Sequence, residues 1–263
     1  MPQTENLLYG PGAQRVVERM GEAASNFLAS LSPDQRRKAQ LDFGDDAKRT
    51  FWAYTPIPRD GLPLAEMDRP QRQLAFRLAA SGLSRAGFVT ASTIMGLETT
   101  LDAIENWQRP LPGRDMLLYY VSIFGEPHPT EPWGWRFEGH HISLNFTIVQ
   151  GRIVAPTPTF FGANPAESPL GATATLRPLA GVEDLARELV HSLDEAQRAQ
   201  AILAPIAPAD IVTTNQPYVR EGLLHLDEPA PEEWARTVGL GPGHLAALRY
   251  TAQQQGVAAR ALS

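Results

Sequence analysis

The sequence contains no cysteine in its 263 residues, so disulfide bonds, thiolate metal sites and a cysteine nucleophile are all excluded. Lysine is also scarce, because only Lys38 and Lys48 among the 23 basic residues are lysine and the others are arginine. The formal net charge is −6, and no stripe of positive charge follows the chain. Non-specific nucleic-acid binding needs such a stripe. We therefore expect no nucleic-acid partner.

Long hydrophobic runs are absent as well. No stretch approaches the roughly 20 apolar residues of a membrane span, and the first 30 residues lack the basic start and apolar run of a secretory signal. We therefore expect no membrane partner and a cytoplasmic location. The hydrophobic content of 43% is ordinary for a globular protein. The length suits a single α+β domain over residues 1–263, and a helical C-terminal extension from about residue 205 is the alternative arrangement.

Apolar residues recur at the three-and-four spacing of amphipathic helices in several segments of the chain. Capping boxes strengthen three of the helix starts, because Ser32, Asp68 and Asp194 are each followed three residues later by a glutamine. The spacing predicts helices over residues 12–30, 85–107, 182–192, 194–203 and 231–255.

The middle of the chain changes to a strand pattern. Residues 116–124 form a short apolar and aromatic run that predicts a buried strand. Residues 136–149 and 152–161 flank Gln150-Gly151, which predicts a long β-hairpin whose second arm is interrupted by prolines. The predicted fold class is therefore α+β: a largely antiparallel sheet built around the hairpin at about 136–161 and packed against several α-helices.

The segment from Trp133 to Asn145 has the densest set of chemically useful side chains. We interpret its second half, from Glu138 to Asn145, as one continuous strand in which successive side chains point to opposite faces. This alternation groups Glu138 and His140 with the apolar residues that follow them. It predicts an opposite, polar face made of His141, Ser143 and Asn145.

Imidazole and carboxylate groups in this strand favour a divalent transition metal such as Zn, Fe or Cu. Adjacent histidines on a regular strand point apart, so a metal would be bound by Glu138 with His140, or by His141 with ligands from elsewhere. No H-E-x-x-H or H-x-H motif supports this interpretation. A structural role for both histidines therefore stays open beside the metal site.

Two further clusters are candidates for substrate binding. Trp135 and Arg136 lead into the strand, where an indole can stack on a substrate and an arginine can bind a carboxylate. Arg49 and Tyr54 lie in an aromatic segment that we interpret as another strand, with Arg49 as an anion anchor and Tyr54 as a proton donor. For the aromatic residues, packing in the core is the alternative role.

Several long strings of this sequence have a familiar order: residues 132–145, residues 157–166, the early Ser30–Arg36 and the loop Gly61–Leu64. Through them the chain resembles, over most of residues 20–205, the uncharacterised bacterial family catalogued as domain of unknown function 3500. The resemblance implies an architecture and no reaction. It also implies a C-terminal segment with a His-x-His string that would complete a metal site, and this sequence lacks that string. Either this chain has lost the metal site, or a partner chain supplies the remaining ligands.

The leading hypothesis is a metal-dependent enzyme, either a hydrolase or an oxidoreductase, that acts on a small molecule at the strand from Glu138 to Asn145. Glu138, His141, Ser143 and Asn145 are the predicted catalytic residues. The alternative is a non-catalytic binding or assembly subunit with structural histidines, which would function with a protein partner or as a homo-oligomer.

Overall fold

The computed structural model describes residues 11–108, 113–202 and 205–206. The chain divides into two compact units, Met1–Pro178 and Leu179–Ser263. The sheet and the candidate site belong to the first unit. The predicted helix at 231–255 lies outside the described residues, as does nearly all of the predicted extension from about residue 205.

The helices of the first unit begin at local signals that the sequence contains. The capping boxes at Ser32 and Asp68 are confirmed: each side chain accepts a hydrogen bond from the third helical residue, whose glutamine side chain accepts one from the cap in return. The two longest helices of this unit lie close to the ranges 12–30 and 85–107 that the sequence predicts. The five helices are α1 (Pro11–Ala29), α2 (Pro33–Ala39), α3 (Asp46–Thr50), α4 (Arg69–Ser81) and α5 (Arg85–Ile104).

The described part of the second unit contains two helices, α6 (Ala180–Ser192) and α7 (Glu195–Ala201). The predicted capping box at Asp194 is confirmed at the start of α7. Both helices lie within one or two residues of the ranges predicted from the sequence.

Among the described residues of the first unit, seven strands form one sheet, and of their pairings only that of the first and third strands is parallel. Numbered along the chain, the strands lie side by side in the order 1-3-4-5-6. The second strand also pairs with the third, and the seventh also pairs with the fifth. An α+β fold with a largely antiparallel sheet is thus confirmed. The strands are β1 (Gln40–Leu41), β2 (Leu62–Pro63), β3 (Tyr120–Phe124), β4 (Trp133–Gly139), β5 (Ile142–Val149), β6 (Arg152–Ala155) and β7 (Thr159–Phe161). A separate pair is made by β8 (Ser168–Leu170) and β9 (Ala174–Leu176).

One face of the sheet packs against helices to form the apolar core. The ring of Phe137 on β4 lies 6.2 Å from that of Phe76 on α4, and the indole of Trp133 reaches Gly21 on α1. At the end of α4, Gly82 lies so close to the sheet that an added Cβ would be 2.7 Å from the ring atoms of Phe146 and Trp135. This close approach explains why a glycine occupies that position.

The predicted strand from Arg136 to Val149 is wrong in one respect: it is two strands joined by the two-residue turn His140-His141. His141 has a φ of 60°, a left-handed conformation that reverses the chain and that no strand residue adopts. The second predicted turn, at Gln150-Gly151, is confirmed, with φ values of 52° and 67° that suit a hairpin turn. The prolines interrupt the last arm as predicted, because β6 ends at Ala155 and β7 begins at Thr159.

The predicted strand around Arg49 and Tyr54 is also wrong. Arg49 lies in the short helix α3, which begins after Asp45, whose side chain accepts a hydrogen bond from the backbone N–H of Lys48. Residues 51–60 then form an irregular segment that we call the strap. It has no strand ladder because its backbone groups bind side chains of the hairpin, as described next.

Candidate functional site

The tight turn at His140-His141 decides which side chains share a face of the sheet. Gly139 pairs with Ile142, so each even-numbered residue of β4 lies opposite an odd-numbered residue of β5. Glu138 is therefore opposite Ser143, and Arg136 is opposite Asn145. The predicted grouping of Glu138 with the apolar residues of β5 is wrong, because it assumed one uninterrupted strand. Glu138, Ser143, Asn145 and Arg136 instead share one polar face.

Glu138 lies buried between two arginine side chains on this polar face. Its Oε1 is 2.8 Å from Nε of Arg136, an ion pair whose direction does not meet hydrogen-bond geometry, and its Oε2 is 3.7 Å from Nε of Arg59. The backbone N–H of Ala53 donates to Oε2 at 3.3 Å. All three charged side chains are 1% exposed. The carboxylate is thus surrounded by donors from the strap and from the sheet.

Burial has opposite effects on the pKa values of these groups because it disfavours every charged form. Burial raises the pKa of Glu138, and the guanidinium groups of Arg136 and Arg59 oppose the rise. Burial lowers the pKa of both arginines, while the charge of Glu138 opposes the decrease. Mutual attraction in this buried cluster therefore opposes the loss of charge that burial favours.

Ser143 and Asn145 extend the polar network across β5. Ser143 lies opposite Glu138 in the strand pairing, and its hydroxyl accepts a hydrogen bond of 3.0 Å from Nδ2 of Asn145. The same Asn145 nitrogen donates to the carbonyl of Pro158 at 2.8 Å, which ties the β6–β7 connection to β5. Both predicted catalytic side chains therefore make structural hydrogen bonds.

The strap is held onto the hairpin by side chains that bind its backbone. Nη1 of Arg136 donates to the carbonyls of Lys48 and Phe51, and the backbone N–H of His141 donates to the carbonyl of Tyr54 at 2.8 Å. Arg59 folds back so that Nη2 donates to the carbonyl of Gly139 at 3.1 Å. The polar face of the sheet is thus covered by irregular chain that is hydrogen-bonded to the hairpin.

The other predicted substrate-binding residues lie in different surroundings. Trp135 is on the apolar face, where its ring stacks on Phe146 at 4.5 Å. Tyr54 is buried in an aromatic cluster and lies 5.0 Å from the ring of Phe160. Arg49 forms an ion pair with Asp46 in its own helix. The fold brings Arg136 close to the predicted catalytic groups but directs Trp135 to the core.

A residue that the sequence analysis missed, Glu98 on α5, binds His140. Nδ1 of His140 lies 2.5 Å from Oε1 of Glu98, and the two residues are 7% and 3% exposed. The sequence does contain one signal for it. Glu98 and Asp102 lie four residues apart among the buried Ile94, Leu97 and Leu101, so two carboxylates share the buried side of an otherwise apolar helix.

His141 follows in the turn, and its ring centroid is 4.0 Å from that of His140. Burial lowers the pKa of His141 to about 4, and the charges of His140 and Arg114 act in the same direction. His141 is therefore a neutral imidazole at pH 7. Its close contact with His140 differs from the predicted arrangement, in which adjacent strand histidines point apart.

A small cleft opens beside the Glu98–His140 pair. Its walls come from the strap, from α5, from the segment that precedes β3 and from the hairpin turn, and its volume is about 250 Å3. The enclosed part has room for about one water molecule. The lining residues are Pro56, Ile57, Arg59, Glu98, Gly113, Asp115, Leu118, Tyr120 and His140.

The predicted metal ligands Glu138, His140 and His141 are close in sequence but have different partners. Glu138 lies between two guanidinium groups, whose positive charge would repel a metal ion. Nδ1 of His140 is used by Glu98. Within the described ranges, no group of three or more His, Asp or Glu side chains is placed to bind a metal ion. Metal binding stays a prediction that requires a ligand from outside those ranges.

A family model described as "Protein of unknown function (DUF3500)" matches residues 13–263. Since this match spans nearly the whole sequence, the chain belongs to that family, as its sequence motifs predicted. No curated protein and no solved structure matches the chain. Among the described residues, no helix is both long enough and apolar enough to cross a membrane.

Proposed function

We propose that this chain is an enzyme that acts on a small molecule by proton transfer at the Glu98–His140 pair, as a hydrolase or an oxidoreductase. The observation that supports this proposal is the 2.5 Å contact between Nδ1 of His140 and Oε1 of Glu98 at the wall of a cleft. An imidazole oriented by a carboxylate is a common arrangement for a general base.

The pair has a defined division of roles. Since a carboxylate only accepts hydrogen bonds, Nδ1 of His140 carries the proton in this contact, and the lone pair of the neutral ring is on Nε2. Nε2 can take a proton from water or from a substrate hydroxyl and return it to the leaving group. Glu98 keeps the ring in position and stabilises the imidazolium that forms in between.

The turn supports this proton transfer in two ways. The Tyr119 hydroxyl donates to the backbone carbonyl of His140 at 2.6 Å, which fixes the backbone that presents the ring. His141 is uncharged at pH 7 because its pKa is about 4. It therefore places no second positive charge beside His140 when that ring is protonated.

The metal-dependent form of this hypothesis, with Zn, Fe or Cu, requires ligands in addition to His140 and His141. A bound metal would supply a Lewis acid or an activated water beside the imidazoles. Elemental analysis of the purified chain tests this form directly. About one equivalent of a transition metal, lost in His141→Asn, supports it, and absence of metal leaves the metal-free acid–base pair as the site.

The test of the enzyme is a comparison of turnover by the full chain and its variants. We expect the wild type to turn over at least one member of a panel of small esters, amides and alcohols, with nicotinamide cofactors supplied for oxidation. His140→Asn and Glu98→Gln should each lower kcat by about 100- to 10,000-fold, which is the usual contribution of general acid–base catalysis. His191→Asn, a histidine change on an exposed part of α6, is the matched control and should have no effect.

Circular dichroism and thermal unfolding of each variant separate loss of catalysis from loss of folding. Equal turnover by His140→Asn and wild type, with both proteins folded, would rule out the proposed base. Absence of any turnover by the wild type between pH 5 and 9 would also speak against an enzyme.

The non-catalytic alternative is favoured by one specific observation. The cleft encloses room for only about one water molecule, and the His140 ring is nearly buried, as expected for structural histidines. In that case His140→Asn and Glu98→Gln should lower the unfolding temperature. Co-purification with a protein partner, or self-association of the full chain, should be the same in these variants as in the wild type. Size-exclusion chromatography with light scattering measures this outcome.

A further inference from the structure

The cations near the Glu98–His140 cleft are already bound by protein oxygens. Nε and Nη2 of Arg114 donate to the carboxylate of Glu105 at 2.8 and 2.6 Å. Arg59 lines the cleft but is 1% exposed; its Nη1 and Nη2 donate to protein oxygens, and its Nε lies 3.7 Å from another without meeting hydrogen-bond geometry. These oxygens belong to the Glu138 carboxylate and to the carbonyls of Ala53, Thr55, Ile57 and Gly139. An anionic ligand would find no available guanidinium donor in this wall.

The carboxylates of the cleft, in contrast, keep acceptor capacity. Glu98 uses Oε1 for His140, and its Oε2 has no hydrogen-bond partner among the residues that the structure describes. This side chain is 96% buried and lines the cleft, and Oε2 is not among the unpartnered oxygens that are fully shielded from solvent, so it is an acceptor that stays accessible from the cleft. Asp115 lines the same cleft and is exposed, with one oxygen accepting from the backbone N–H of Leu117.

A carboxylate oxygen at the wall of a narrow cleft has room for little water, and a ligand that supplies a donor compensates for this reduced hydration. A cationic donor compensates most, because charge-assisted hydrogen bonds are about twice as strong as neutral ones. On this basis we propose that the cleft binds a small primary ammonium compound, whose –NH3+ group lies between Glu98 and Asp115. This inference names the substrate class of the proposed enzyme and rests on that proposed function.

The remaining wall sets the size and polarity of the rest of the ligand. Pro56, Ile57 and Leu118 are apolar and suit a short hydrocarbon chain. The enclosed part of the cleft has room for about one water molecule, so the ammonium group would occupy it and the hydrocarbon chain would lie in the part that is open to solvent. The ligand class is therefore a short alkylamine, held at its cationic end, with a reacting group near Nε2 of His140.

The test compares three probes of equal size and different charge: propylammonium, propionate and 1-propanol. Each is titrated into the full chain, and the ring signals of its histidines are followed by NMR, with the His140 signal assigned through His140→Asn. We expect propylammonium to shift the His140 signal and to bind at least tenfold more tightly than propionate. Glu98→Gln should weaken propylammonium binding tenfold or more, and Asp115→Asn at the exposed rim should weaken it about threefold.

Glu131→Gln is the matched control, since Glu131 is an exposed acid before β4, at the opposite end of that strand from His140. This variant should bind propylammonium as tightly as the wild type does. Propionate binding as tight as propylammonium, failure of all three probes to bind, or unchanged binding in Asp115→Asn would overturn the inference. Asp115→Asn keeps the test decisive if Glu98→Gln does not fold.

The two proposals can fail separately. Propylammonium binding without turnover of any substrate by the wild type contradicts the enzyme and leaves the ligand class supported. Turnover of neutral or anionic substrates that depends on His140, without propylammonium binding, supports the enzyme and overturns the ligand class.

Discussion

Glu98 and Glu138 are both buried glutamates near the hairpin turn, but their surroundings differ. Glu138 has two guanidinium groups and one backbone N–H around it, so its charge is countered within the protein although Oε1 makes no hydrogen bond. Glu98 has a single imidazole partner and a second oxygen at the cleft. The first arrangement satisfies a buried charge, whereas the second leaves capacity for a ligand. A structural role therefore suits Glu138 better than the catalytic role predicted from its position in the sequence.

Replacing Glu138 tests this structural role. Glu138→Gln leaves two buried guanidinium groups without their counter-charge, so we expect a loss of about 3–5 kcal/mol in the free energy of unfolding. Glu126→Gln is the matched control, because Glu126 pairs with Arg36 while its side chain is 66% exposed, and its loss should be below about 1 kcal/mol. Urea unfolding measures both. Equal small losses would show that the buried charges do not hold the strap.

At the scale of elements, the hairpin turn between β4 and β5 is what brings the candidate site together. It carries both imidazoles at its tip, its backbone is fixed by Tyr119, and α5 supplies the partner of His140. Gly139 is required there, because an added Cβ would lie 2.4 Å from the ring of Tyr119. The chain therefore needs a glycine just before the histidine pair for the β4 strand to pack over that tyrosine.

Gly139→Ala should consequently destabilise the protein, by about 1–3 kcal/mol, as overpacking of a filled core usually does. Gly96→Ala on the exposed side of α5 is the control with the opposite expected sign, since no atom lies within 4 Å of its added Cβ. Alanine in place of a helical glycine should stabilise by about 0.5–1 kcal/mol. Thermal unfolding of the two variants checks both signs, and a tolerated Gly139→Ala would show that the turn can move away from Tyr119.

At the scale of the whole molecule, burial of His141 links stability to pH. The pKa of His141 is lowered from 6.5 to about 4 in the folded protein. Between these two values the unfolded chain binds the proton and the folded chain does not, so stability falls as the pH decreases through 6.5 towards 4. Below about 4 both states are protonated, and this loss is complete.

We expect the wild type to lose more stability than His141→Asn when the pH is lowered from 7 to 4, by about 1–2 kcal/mol after solvent screening of this partly exposed ring. Asparagine is the suitable replacement because it tolerates the positive φ of this position. Other titrating groups are shared by the two proteins and cancel in the difference. Unfolding by urea at several pH values measures it, and parallel pH profiles would exclude this contribution of His141.

Local signals were enough to predict most of the elements. Side-chain capping depends only on residues three positions apart, so the starts at Ser32, Asp68 and Asp194 could be read from the chain. The same holds for the apolar periodicity of α1 and α5 and for the two-residue turn at Gln150-Gly151. The α+β class and the family follow from these patterns and from the long sequence strings around the hairpin.

The candidate site could be predicted only in part. The sequence marked the hairpin tip and its histidines, but a histidine pair within a β-rich run does not indicate a turn, and the missed turn reversed the predicted faces of β4 and β5. Glu98 is 42 positions from His140, and nothing local to either residue indicates their contact.

The sequence by itself therefore determined the longer helices, the strand-rich middle of the chain and the residue types available for chemistry, because these depend on neighbours along the chain. Only the tertiary structure decided that Glu138 pairs with Arg59 and Arg136 while His140 pairs with Glu98. The physical reason is that such contacts depend on which elements pack together and on the register of the strands. Both are set by burial of the whole apolar face and not by any single segment.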